Sequence, residues 1–199
     1  FNILWSYGCY HHLTDPPRLT NIIDLQLTEP EIKAQMDEDC RAIINQTCRK
    51  KDLVFKPGNL EDIELYWKIH NSSWARTGLN PHPLSHFESM LNAIGDNVHL
   101  FFCYFNDEPI AAVMIHVDKQ NALYYGGCSL ELAKKHKANN FLLFNTMLHY
   151  KNIGYRHFEV GVFDSCLSKN QKEYNVGRYK AQFSSFPSLS LEGVKFFSI

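Results

Sequence analysis

The residues with the chemistry of an anion site fall between Tyr124 and Asn140. Gly126-Gly127 interrupts the β-prone run Tyr124-Tyr125-Gly126-Gly127-Cys128, and glycines inside a strand mark a bulge or a close approach by another backbone. Lys134, Lys135, His136 and Lys137 come next, just ahead of a helix expected to begin at Ala138. The first turn of a helix presents unpaired N–H groups and the positive end of its dipole. Phosphates are therefore expected near Lys134, Lys137, Asn139 and Asn140, with the backbone of Gly126 and Gly127 alongside the ligand. The plainer alternatives are a bulge that only shapes the sheet and a solvated basic turn. Two carboxylates, Glu159 and Asp164, flank the strand after the helix and have the chemistry to take a proton from an amine. Asp164 falls at that strand's C-terminal end, where open sheets commonly hold ligands, although a loop-capping aspartate looks the same in sequence. His116 reads as a structural histidine of an apolar strand, and the adjacent His11 and His12 cannot share one strand face.

Composition bounds what surrounds these residues. The chain has 199 residues, 45% hydrophobic and 14% aromatic, enough for a full core. A net charge of −1 argues against a broad basic face for nucleic acid, so anion binding has to be local. The 6 cysteines, at positions 9, 40, 48, 103, 128 and 166, show no paired CxxC spacing. Packed, reduced thiols in a cytoplasmic protein are expected, and no metal. No apolar run approaches the roughly 20 residues of a membrane-spanning helix. The chain opens on Phe1 in strand-like sequence, which reads as the continuation of an upstream half.

Periodicity supplies the elements. Thr28-Glu29-Pro30-Glu31 is a capping box with proline in the first turn, and Ile32, Met36, Cys40, Ile43 and Ile44 continue one helix to Lys51. After a short strand at Leu53 to Phe55, Asn59 caps a helix running to about Trp74, and a second helix spans Leu84 to Ile94. Val98 to Phe105, Pro109 to Val117 and Asn121 to Cys128 alternate as strands, and the turn residues between them predict an antiparallel meander. Phe141, Leu142, Phe144 and Leu148 form the buried face of the helix from Ala138 to Asn152, facing Ala111, Val113, Ile115, Phe158 and Val160. Tyr155 to Phe163 is expected as a strand, Asp164 to Gly177 as a polar loop or short helix, and Arg178 to Phe186 and Leu189 to Phe197 as two further strands.

This order of elements, with YYGGCSLELAKKHKANNFLLFNTMLHYKNIGYRHFEVGVFD and GRYKAQFSS, resembles the C-terminal half of the Fem-type aminoacyltransferases, the peptidoglycan-related group with tandem GNAT domains. The stretch IIDLQLTEPEIKAQMDEDCRAIINQTCRK is similar to the segment that joins the halves in that family. The resemblance implies an α/β GNAT fold, a mixed, mostly antiparallel sheet flanked by helices. It implies residues 1–52 as the remnant of an upstream half with its connection, and 53–199 as a GNAT-like domain. It also implies transfer of an acyl or aminoacyl group from acyl-CoA or aminoacyl-tRNA to an amine on a small molecule, sugar or peptide, in a cell-envelope context. Tyr179-Lys180 matches the family's aromatic-lysine pair, whose lysine steadies negative charge at the donor or tetrahedral intermediate. Arg76 follows the helix after which such proteins place acceptor-binding loops; a surface salt bridge is its plainer role. The family pattern has glycine where this chain has Lys137. That departure supports the alternative of a catalytically silent domain that binds a ligand or scaffolds a larger protein. An RNA-contacting module is a third reading, set against the near-neutral charge.

Overall fold

The computed structural model describes residues 10–13, 18–76, 78, 80–161, 172–184, 186–190 and 193–196. Its strands are β1 (Tyr10–Leu13), β2 (Arg18–Asp24), β3 (Leu53–Pro57), β4 (Val98–Phe105), β5 (Glu108–Asp118), β6 (Asn121–Ser129), β7 (His157–Glu159), β8 (Pro187–Ser190) and β9 (Gly193–Phe196). Its helices are α1 (Glu29–Ala34), α2 (Glu38–Lys50), α3 (Ile63–Ala75), α4 (Leu84–Ile94), α5 (Glu131–His136), α6 (Ala138–Asn152) and α7 (Lys172–Ala181). Seven strands make one sheet in the order β3-β4-β5-β6-β7-β2-β8, while β1 and β9 pair separately. Every neighbouring pair in the large sheet is antiparallel except β6 and β7.

Strand alternation puts the two apolar sets on opposite faces. Ala111, Val113 and Ile115 of β5 join Phe141, Leu142 and Phe144 of α6 in one cluster, together with Phe158 and Val160. Ala112 and Met114 point the other way, into a second cluster with Tyr66 and Ile69 of α3 and Phe87 of α4. The sheet is thus covered by α2 and α6 on one side and by α3 and α4 on the other. Asn106 and Asp107, both at positive φ, make the two-residue turn between β4 and β5 that their sequence predicts. Leu148 lies at the rim of its cluster, half-buried, and Met147 is the residue that is fully enclosed.

Residues 18–50 are built into this sheet and its core. β2 pairs with β7 on one side and β8 on the other, and Ile23, Leu25, Ile32, Met36, Cys40 and Ile44 share the core with α6. The expected single helix from Thr28 to Lys51 is two helices. Glu31 accepts from the Thr28 N–H at 2.7 Å as the capping box requires, but the chain turns extended at Asp37, whose own N–H donates to the Gln182 carbonyl at 3.0 Å. A second correction concerns the run from Arg178, which is the last turn of α7 and not a strand. Tyr179, Ala181 and Phe183 alternate, yet Tyr179 and Phe183 are also i and i+4, and their rings meet at 5.3 Å. Among the described residues, the strand expected from Tyr155 to Phe163 is formed over His157–Glu159, and Leu189 to Phe197 contributes to two strands, β8 and β9.

Candidate functional site

A gap in the sheet defines the site. Among the described residues, β6 and β7 pair only at Asn121–His157, Ala122–Phe158 and Leu123–Glu159. Past that point β6 runs on to Ser129 along β5, while Val160 is drawn the other way, its N–H donating to the Asn21 carbonyl of β2 at 3.0 Å. The sequence expectation of a bulge holds at this place. Met114 faces Gly126 and Ile115 faces Tyr124, so Tyr125 is the extra residue of β6. It is turned outward, 45% exposed, and stacks on His116 at 4.1 Å between ring centroids.

The two glycines differ in what they allow. A Cβ on Gly127 would collide with the Tyr124 hydroxyl, whereas one on Gly126 would meet only the Tyr66 hydroxyl at 3.6 Å. The sequence reading missed a third glycine. Gly161 sits at φ +75, and a Cβ there would fall 2.9 Å from the Tyr124 carbonyl oxygen and 3.0 Å from Lys180 Nζ. Its signal was a lone glycine inside the run expected as a strand, Tyr155 to Phe163. Lys180 therefore stands in the gap between the diverging strands, with Nζ 5.7 Å from the Tyr124 ring centroid.

Gly126, Gly127, Lys134, Asn139, Tyr179 and Lys180 line one cleft of about 640 Å³, closed opposite by Trp74 of α3. The Tyr179 hydroxyl donates to the Asn139 carbonyl at 3.0 Å, joining the end of α7 to the start of α6. Asn139 Nδ2 donates to Ser129 Oγ at 3.3 Å, which ties the same helix start to the end of β6. Trp74 is backed by the imidazoles of His70 and His82, with ring centroids 4.9 and 5.1 Å away.

The other nominated residues that the structure describes are not part of this lining. Lys137 takes the left-handed conformation, φ 57 and ψ 31, between α5 and α6. It lines a separate groove of about 530 Å³ beside Asp39, Gln46 and Arg49 of α2, so it does not crowd the cleft. Asn140 is buried, and its amide donates to Cys40 Sγ at 3.6 Å. Arg76 pairs with Glu131 at 2.6 Å and donates to the Ser129 carbonyl, fastening the end of α3 to the β6–α5 junction. Glu159 is at the last paired position of β7, and Asp164 lies outside the described residues.

Burial sets the protonation of the cleft walls. It pushes the phenols of Tyr124 and Tyr179 up, so both keep their protons at neutral pH. The Cys128 thiol is likewise pushed up by burial, and it donates to the Tyr66 carbonyl at 3.8 Å. A protonated thiol is a poor nucleophile. Among the described residues, no group of His, Cys, Asp and Glu is gathered in a way that would hold a metal ion. Among them, too, no helix is long and apolar enough to cross a membrane.

A mixed, mostly antiparallel sheet flanked by helices, with a strand bulge and a parallel pair that separates, places the molecule in the class of GNAT-fold proteins. Residues 41–180 match the family model described as acetyltransferase (GNAT) domain, and the chain belongs to that family. Among solved structures it is similar to FemX, with a TM-score of 0.76 at 12% identity over 88% of this chain and 60% of that one. It is also similar to L-PGS from Bacillus licheniformis, with a TM-score of 0.60 at 12% identity, covering 95% and 62% of the two chains. The chain thus spans about three fifths of the length of these structures. No curated protein matches it by sequence.

Proposed function

We propose that this chain transfers an acyl or aminoacyl group from a phosphate-bearing carrier, acyl-CoA or aminoacyl-tRNA, to an amine on a small molecule, sugar or peptide. The observation that carries this reading is the convergence in one cleft of the free run of β6, Lys134 and Asn139 at one end, and Lys180 beside Tyr124 and Gly161. The residues fit such a donor. Gly126 leaves backbone open to an extended arm, and Lys134 together with the start of α6 supplies positive potential for phosphates.

In the transfer, the amine nitrogen attacks the donor carbonyl carbon. A C–N bond forms, the C–S or C–O bond to the carrier breaks, the amine gives up a proton, and the departing sulfur or oxygen takes one. The ammonium of Lys180 offsets the negative charge that builds on the carbonyl oxygen. The proton acceptors in this reading are the two carboxylates near the end of β7, Glu159, which is outside the cleft lining, and Asp164. Arg76 serves the acceptor side by fixing α3 and Trp74 against the end of β6. A cytoplasmic site of action on a cell-envelope precursor goes with this reading.

Calorimetric titration of coenzyme A and of an aminoacylated RNA minihelix tests it. One of the two should bind, and Lys180→Glu and Lys134→Glu should each weaken that binding with the thermal midpoint retained. A steep fall of affinity with salt would mark the RNA carrier. If neither probe binds, the chain is a silent ligand-binding or scaffolding domain.

A further inference from the structure

Asn21 of β2 is 0% exposed, and its side chain faces the end of α7. Its amide nitrogen lies 3.4 Å from the Lys180 carbonyl, 3.1 Å from the Ala181 carbonyl and 3.1 Å from the Ser184 carbonyl. All three partners are acceptors, which fixes the NH₂ group as the end that faces the helix. The Lys180 and Ala181 carbonyls also accept from the Phe183 and Ser184 N–H groups, at 3.3 and 3.4 Å, in the tight turn that ends the helix. The amide is thus a second donor there and a tie across to β2. The other end of the same residue belongs to the cleft edge, because the Asn21 carbonyl accepts from the Val160 N–H at 3.0 Å. One buried residue therefore joins the helix end that carries Tyr179 and Lys180 to the strand that turns away from β6.

The amide is kept at a cost. Asn21 Oδ1 is buried with no hydrogen-bond partner among the described residues, and an unpaired buried acceptor is unfavourable. A hydrocarbon of the same shape would avoid that loss, so what the amide contributes lies in its donors.

We propose that Asn21 is the positioning residue of this site, its carboxamide setting where Lys180 Nζ stands over Tyr124 and Gly161. The inference rests on the reading of the cleft as the donor site. It acts through Lys180 and touches no substrate. Without the amide, the last turn of α7 loses its tie to β2, and the lysine no longer has one place in the gap.

The test compares the full chain with Asn21→Leu, which keeps shape and removes donors, and Asn21→Asp, which turns an oxygen toward the three carbonyls. Asn21→Thr, which keeps one donor, is the milder variant should either fail to fold. Two measurements need no donor: amide hydrogen exchange over residues 180–184, and the rate at which acetic anhydride labels Lys180, read by peptide mass spectrometry. Exchange there should quicken about tenfold or more with β4 and β5 unchanged, and the labelling rate should shift, least in Asn21→Thr. Whichever probe binds the parent, coenzyme A or the aminoacylated minihelix, should lose about tenfold in affinity with Asn21→Leu. In a Lys180→Met background the same change should cost nothing further, because a residue acting through Lys180 is not additive with its loss. Parental exchange and labelling in both Leu and Asp variants would overturn the proposal, as would full additivity in the double variant. Should neither probe bind the parent, the donor reading falls, and exchange and labelling still decide the role of Asn21.

Discussion

Gly161 is the residue on which the gap between β6 and β7 most depends. Its φ of +75 belongs to a region costly for any L side chain, and a Cβ would press on the Tyr124 carbonyl, which is backbone and cannot swing aside. Gly161→Ala should therefore destabilise by about 1 to 3 kcal/mol. Gly126→Ala, with ordinary contact to one hydroxyl, should stay within about 0.5 kcal/mol. Urea unfolding of the two variants would check the contrast, and equal midpoints would show that the strand separation is not held by Gly161. Gly126-Gly127 was legible in sequence because a glycine pair breaks a β-prone run. Gly161 was not, since one glycine inside an expected strand has many uses and only the neighbouring backbone shows which one applies.

Two elements show where periodicity informs and where it misleads. The short helix α5 ends at Lys137, and the chain enters α6 through a left-handed residue, a turn for which glycine is the usual solution. A lysine there costs about 1 to 2 kcal/mol in backbone strain, against about 0.5 to 1 kcal/mol of extra chain entropy for glycine. Lys137→Gly is therefore expected to stabilise by about 0.5 to 1 kcal/mol. Because the side chain lies in the α2 groove, probe affinity at the cleft should change less than it does in Lys134→Glu. Thermal unfolding and titration of both variants would test this, and a larger loss in Lys137→Gly would make the groove part of the donor site. The meander from β4 to β6 could be read directly from its alternation, and α6 could be read as a helix. The buried face of α6 could not, since Phe141 to Phe144 are all enclosed and spacing picked Leu148 over Met147. The end of α7 could not. Tyr179, Ala181 and Phe183 satisfy both periods, and the donor that meets the Ala181 carbonyl from outside the helix is Asn21, 160 residues earlier in the chain. A tertiary hydrogen bond of that kind leaves no local signature.

At the scale of the whole molecule, residues 18–50 and the rest of the described chain share one core, because β2 lies between β7 and β8. Loss of one face of the sheet is therefore felt by the other, and titration of histidines on either face reports on the same fold. His116 packs against Tyr125 and Met90 on the α4 side, and His149 packs against Phe55 and Phe101 on the α6 side. Desolvation holds both imidazoles below their ordinary value of 6.5, and for His149 the neighbouring His99 adds to the effect. A group with a depressed folded pKa binds protons more readily when unfolded, so stability rises with pH across the window between the two values. The contribution is complete above about 6.5 and is lost as pH falls below it. Urea midpoints measured between about pH 5 and 8 should decline on the acid side, and His116→Gln with His149→Gln should flatten that slope. Each single variant should remove part of it, since the two sites lie on opposite faces of the sheet and do not touch. A slope in the double variant as steep as in the parent would assign the acid loss to carboxylates and overturn the assignment to these two rings.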